Sequence, residues 1–321
     1  MSLLLQSDEG EVTRIELREM HLDWFDWSNP VALWWSFLLT VSALNIALLV
    51  GLRAAYRGNP FGAANAIFAA EPLALLSAVY VFGCAFRSLL PRADVERICL
   101  FNTWLSSVLV GRSVATLAEL CFAVQWVIIL RELGRVAYSD TAKNIAMLIM
   151  PLIALAEICS WYAVISTSFL GNVLENSLWT IAFALVAAAL IRLAASFHGI
   201  VRWIIVVTAA GAAGYVLFMV TIDVPMYLQR WQAAMASGHP VLGLFAGLHD
   251  LASRWIVTHD IARWRDEIPW MSLYFSIAVW ASLLLGGFGL VRHLLPRYRV
   301  RRPLFKPAGR RPVAVTIRSS R

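Results

Sequence analysis

Residues 99–130 read CLFNTWLSSVLVGRSVATLAELCFAVQWVIIL. The stretch is apolar enough to cross a bilayer, yet it carries Arg112, Thr116 and Glu119 in its middle. These three recur at i, i+4 and i+7, so a helix places them on one face. An ionised side chain at bilayer depth is costly and turns to a protein interior or a wet cavity where it finds a partner. Partners are available in other apolar segments as Glu157, Glu175 and Asp223. A helix over the whole stretch would be about 48 Å long against roughly 30 Å of hydrocarbon, so it must tilt or protrude.

The chain around it has the same character. Of 321 residues, 60% are hydrophobic and 15% charged, with a mean hydropathy of +0.69. Soluble domains carry about 25% charged residues. Apolar runs are read over about Pro30–Leu52, Pro72–Leu90, Cys99–Leu130, Ala142–Ile165, Leu174–Ala195, Trp203–Leu228 and Pro269–Val291. The fold class expected is therefore an all-α integral membrane protein, a bundle of about seven transmembrane helices. Asn29-Pro30 supplies an N-cap and a first helical residue. Pro151 falls inside the fourth run, where a proline removes a backbone donor. Gly211 and Gly214, set among Ala209, Ala210, Ala212 and Ala213, offer a small-residue face for close helix packing.

Three segments flank or interrupt the bundle. Residues 1–29 hold seven acidic groups with interspersed tryptophan, no apolar signal core, and the look of an interfacial segment. Residues 229–268 form a long loop in which Val241, Leu244, Phe245, Leu248, Leu251, Ala252, Trp255 and Ile256 recur at helical spacing. Residues 292–321 hold nine Arg and one Lys. That basic tail accounts for the net charge of +7 and marks a membrane-proximal cytoplasmic segment in contact with anionic lipid, not a nucleic-acid binder. An outside N-terminus and a cytoplasmic C-terminus in a cell inner (plasma) membrane follow.

On that orientation Arg112 lies near the midplane, Glu119 about 10 Å deeper, and Glu157 level with Arg112. Glu175 and Asp223 fall near the outer surface, under the long loop. The expectation is an outward polar cavity with Glu157, Glu175 and Asp223 as acid, base or metal ligands. Arg112, Glu119 and Asn172 contact substrate there. An internal ion pair of Arg112 with Glu119 or Glu157 that simply locks helices is the competing reading. His249-Asp250 and His259-Asp260 repeat a pair that a metal could use, with Asp250 and Arg254 alternatively paired at i, i+4. Trp24, Trp27, Trp231, Trp264 and Trp270 read as boundary anchors. Cys84, Cys99, Cys121 and Cys159 lack metal or redox spacing and read as buried apolar residues.

Several classes drop out. The only lysines are Lys143 and Lys306, neither placed for a retinal Schiff base. His198 and His293 have no partner at matching depth for haem. Walker A, GxSxG and HExxH motifs are absent, and no cofactor is indicated. Three functions remain: an enzyme acting on a lipid-like or small-molecule substrate, a proton-coupled carrier relaying through Arg112, Glu119 and Glu157, or a sensor or assembly subunit working through its tail. The partners expected are membrane lipids and that substrate.

Overall fold

The structure is a computed structural model that describes residues 25–57 and 70–291. The acidic segment up to residue 24 and the basic tail from residue 292 lie outside the described residues. Among the described residues, seven helical segments are long and apolar enough to cross a membrane. The protein is a multi-pass all-α membrane bundle.

The first span is α1 (Pro30–Arg57), and the Asn29 side chain accepts from the Val31 amide at 2.9 Å, the cap read from the sequence. Then come α2 (Ala70–Leu89), α3 (Val108–Val136), α4 (Asp140–Ser166) and α5 (Phe169–Ala194). The sixth span joins α6 (Gly199–Phe218) through a π-helical turn at Met219–Asp223 to α7 (Val224–Ala236). The seventh joins α10 (Glu267–Leu273) through a second π-turn at Tyr274–Ala278 to α11 (Val279–Gly286), and α12 (Phe288–Val291) follows. Between the last two spans lie α8 (Leu244–Ser253) and α9 (Ile261–Trp264). The first six spans pack side by side in chain order, and α11 of the seventh returns against α1, α2 and α3.

The third span corrects the expectation. It starts at Val108, nine residues later than read, and runs to Val136. Ser107 caps it, its hydroxyl accepting from the Val110 amide. The apolar residues before it, Ile98, Cys99 and Leu100, are buried in a small roof and not in the bilayer. Two-residue strands β1 (Arg92–Ala93) and β2 (Ile98–Cys99) pair antiparallel. A third, β3 (Ile256–Val257), joins β2 in parallel, with Ile98 opposite Ile256 and Cys99 opposite Val257. Hydropathy cannot separate a buried loop from a span. With the start moved, Arg112 is the fifth residue of its helix, so it sits near the roofed end of the bundle and not at mid-span.

The fifth span starts five residues earlier than read. Asn172 therefore belongs to α5, and Glu175 is in its second turn and buried rather than solvated at a helix end. Gly171 makes the approach of α5 to α4 possible: a Cβ there would stand 2.5 Å from the Cys159 carbonyl oxygen and 2.6 Å from the Ala163 Cβ. The small-residue face of α6 is a further correction. Gly211 and Gly214 have nothing near where a side chain would be, whereas Ala209 and Ala212 are buried. The glycines face outward from the bundle, with only the two alanines at the packing face.

The long loop is shorter than read, because α7 takes Gln229–Ala236, and its amphipathic helix covers ten residues. Leu251 of α8 is buried against the bundle while Leu244, Phe245 and Leu248 are exposed. The apolar face of α8 is thus turned mainly away from the protein. Trp264 and Trp270 also depart from their role as boundary anchors. Trp264 is fully buried and stacks obliquely on Trp34, and Trp270 lines an internal cavity. The four cysteines are free.

Candidate functional site

Four charged side chains meet at the roofed end. Arg112 Nη2 lies 3.0 Å from Glu119 Oε2, 2.9 Å from Glu157 Oε2 and 3.3 Å from Glu175 Oε1. All four residues are buried. The i, i+7 spacing on α3 supplies Arg112 and Glu119, α4 supplies Glu157, and the close approach at Gly171 brings Glu175 in from α5. One carboxylate oxygen from each glutamate lies within 4.8 Å of the others.

The hydrogen-bond count is uneven. A guanidinium Nη carries two hydrogens, yet Nη2 faces three carboxylates, while Arg112 Nε has no partner among the described residues. Other donors share the load. Thr116 Oγ1 donates to Glu157 Oε2 at 2.6 Å, and Trp161 Nε1 donates to Thr116 Oγ1 at 3.1 Å. Tyr274 OH donates to Glu119 Oε1 at 2.9 Å, and Asn172 Nδ2 to Glu175 Oε2 at 3.4 Å. Glu157 Oε1 accepts from no described residue. With all four groups ionised, three carboxylates surround one cation. Such a surplus of buried negative charge calls for protons, a cation or a polar ligand.

A cavity of about 80 Å³ opens beside this cluster, with Arg112, Glu119, Glu175, Asn172 and Asn176 in its wall. That is room for on the order of half a dozen waters. The roof adds Arg92, Asp94 and Glu96, the end of α2 adds Arg87, and α10 adds Glu267 and Trp270. Further along α3 from Glu119, aromatic rings pack together in the bundle. Tyr80 stacks on Phe122 at 4.8 Å between centroids, and Phe122, Trp126 and Phe183 are in mutual contact.

The roof is built to hold two arginines. Arg97, at a left-handed φ of 58°, is buried and binds Asp250 Oδ2 at 2.8 Å, the Asp94 carbonyl at 2.7 Å and the Val164 carbonyl at 2.6 Å. Arg92 binds Asp94 Oδ1 at 2.8 Å and the Ser107 carbonyl, and its guanidinium lies flat over Gly111, where a Cβ would collide with it. Burial pulls Arg92 down to about 10, with Asp94 opposing, so it stays charged at neutral pH. Burial acts to raise Asp94, but the Arg92 and Arg87 guanidiniums outweigh it and hold its carboxyl below the usual range. Arg230 of α7 clamps the far side, reaching Glu96 at 2.9 Å, Asp266 at 2.8 Å and Glu267 at 3.4 Å.

Of the residues singled out in the sequence, Arg112, Glu119, Glu157, Glu175 and Asn172 come together. Asp223 does not join them; it is buried in the first π-turn and accepts from Asn176 Nδ2 at 2.5 Å. His249, Asp250 and His259 form no metal-binding group among the described residues. Asp250 is taken by Arg97 and by Arg254, the i, i+4 partner. The exposed His249 faces Ser253 of its own helix, and the His259 ring meets the Leu100 carbonyl at 3.0 Å. Sequence reasoning missed Tyr274, Arg92 and Asn176. Only Asn176 had a signal, since Asn172, Glu175 and Asn176 form an i, i+3, i+4 stripe. Compared with known protein families, with characterised protein sequences and with solved structures, the chain finds no match.

Proposed function

We propose that this protein is a membrane-embedded enzyme of the cell inner (plasma) membrane. Its roofed end faces outward, and it acts on a lipid or lipid-like substrate whose polar part enters the roofed cavity. The observation that carries this reading is the convergence of three buried glutamates on one guanidinium at the wall of a roofed cavity. A one-sided site of this kind suits chemistry on a group presented from the roofed end. Glu175 and Glu119 reach the cavity and serve as acid and base. Glu157, which does not line it, fixes Arg112. Asp223 acts as a positioning residue through Asn176. Arg112 Nη2 is taken by three carboxylates, so this side chain orders the glutamates instead of binding substrate.

The test uses the purified full chain in vesicles of the expression host's total polar lipids, with lipid classes followed by mass spectrometry. One class should be converted, and Glu175→Gln should slow conversion by about 100-fold or more while the protein still elutes as a single species. Absence of any conversion, or conversion unaffected by Glu175→Gln, overturns the proposal. A proton-coupled carrier is the second reading, favoured by Glu119 in the cluster and by π-turns in two spans, one of which brings Tyr274 to the cavity, a feature found at functional sites. It requires Glu119→Gln to abolish proton flux into vesicles while Asp223→Asn leaves it.

A further inference from the structure

Besides Arg112 Nε, two polar atoms of residues in the cavity wall lack partners, and they are of opposite kinds. Arg92 is only 2% exposed, and its Nη2 donates to nothing among the described residues. Asn172 gives its Nδ2 to Glu175, and its Oδ1 is enclosed and accepts from nothing among them. Buried groups left in this state are rare and call for an explanation. One needs an acceptor and the other a donor.

The wall is also divided by charge. Its cations are Arg87, Arg92 and Arg112, and its acids are Asp94, Glu96, Glu119, Glu175 and Glu267. A simple anion would satisfy Arg92 but deepen the surplus of negative charge. A simple cation would relieve the surplus but leave Arg92 unmet. A group bearing both charges answers each demand. Guanidinium groups match the geometry of phosphate, and an ammonium suits carboxylates and the face of a tryptophan.

We infer that the cavity binds an aminoalkyl phosphate, its phosphate on Arg92 and Arg87 and its ammonium among Glu175, Glu267, Asn172 Oδ1 and Trp270. This rests on the cavity being the substrate site and names the substrate class. The cavity's room matches the heavy atoms of phosphoethanolamine in order of magnitude. The same chemistry is available as a phospholipid head group or as a free solute.

The test is thermal melting of the full chain in nanodiscs of phosphatidylglycerol. Phosphoethanolamine, inorganic phosphate and ethylamine are added separately at equal concentration. Phosphoethanolamine should raise the melting temperature well beyond either fragment, and Arg92→Gln should remove the shift. Arg87→Gln guards against misfolding of the first variant, because the Arg87 guanidinium only approaches Asp94 at 4.0 Å; it should weaken the shift. Adding phosphatidylethanolamine to the discs separates the sources. If it raises the melting point and blunts the response to the solute, the ligand is a head group; if only the solute acts, it is free. No shift with phosphoethanolamine, an equal shift with phosphate alone, or wild-type shifts in both variants overturns the inference. If lipid conversion persists without a shift, only this inference falls. A shift without conversion removes the enzyme and leaves the site.

Discussion

Arg112→Met is the perturbation that tests the cluster most directly. Met keeps the length of the arginine's aliphatic stem and removes the guanidinium, so the change deletes the charge and its hydrogen bonds. In the native protein Nη2 lies within 3.3 Å of three carboxylates. Removing one member of a buried ion pair costs about 3–5 kcal/mol, because the remaining charge stays buried without compensation. Here three carboxylates lose one cation, so the loss should reach the upper part of that range. Removing carboxylates at the same time should restore stability. Arg112→Met combined with Glu157→Gln should be less damaging than the sum of the two single changes, with a coupling of about 1–3 kcal/mol. The assay is unfolding of the purified protein in nanodiscs, compared across wild type, both single variants and the double variant. Arg135→Met serves as control, since the Arg135 side chain is 65% exposed in its pair with Glu132 and a surface pair is worth at most about 1 kcal/mol. Additive losses, or an Arg112→Met loss no greater than that control, would refute the account of Arg112 as the charge that holds three helices together.

Gly171→Val should push α5 away from α4, carry Glu175 off Arg112 and cost about 1–3 kcal/mol as an overpacked contact, read by unfolding and by a cysteine crosslink between α4 and α5. Gly111→Ala should gain about 1 kcal/mol of helix propensity, yet a melt should still show net destabilisation because the new methyl displaces the Arg92 guanidinium. At Asp250, burial raises the carboxyl but hydrogen bonds from Arg97 and Arg254 outweigh it and hold it below the usual carboxylate range. Its stabilisation of the roof is present above an unfolded value of about 3.9 and is lost as pH falls through the lower folded value. Protection of the Ile256 amide, which donates to the Arg97 carbonyl at 2.7 Å, measured against its intrinsic exchange rate at each pH, should fall on that acid side in wild type. Asp250→Asn should show low protection at every pH, and an acid transition that survives in it counts against the assignment.

The seven spans were legible because lipid leaves hydropathy and length as the governing signals. The charged residues of the cluster were legible for the same reason, since Arg112, Glu119, Glu157 and Glu175 stand out only against an apolar background. What misled was depth. Cys99 and Leu100 are as apolar as a span, but they are buried by protein, and treating them as lipid-facing placed Arg112 too deep. The neighbours of Asp223 were equally hidden, because lateral position in a bundle depends on packing at places such as Gly171 and not on a residue's height. Arg92 and Tyr274 drew no notice in the sequence. An arginine in a polar loop and a tyrosine in a span are ordinary until the fold encloses them.

The pairing of Ile98 with Ile256 has a consequence in time. Those residues are about 160 positions apart, and at 5–20 residues per second the ribosome needs roughly 8–30 s to make the second after the first. Through that interval β2 lacks its parallel neighbour and the cavity has half a roof. The order of synthesis eases the wait for the charges beneath. Arg112 and Glu119 leave the ribosome on one helix, so the first ionisable pair enters the membrane already able to neutralise itself. Glu157 and then Glu175 arrive later, each to a cation already in place. The excess of acid therefore accumulates only as the helices that enclose it are delivered.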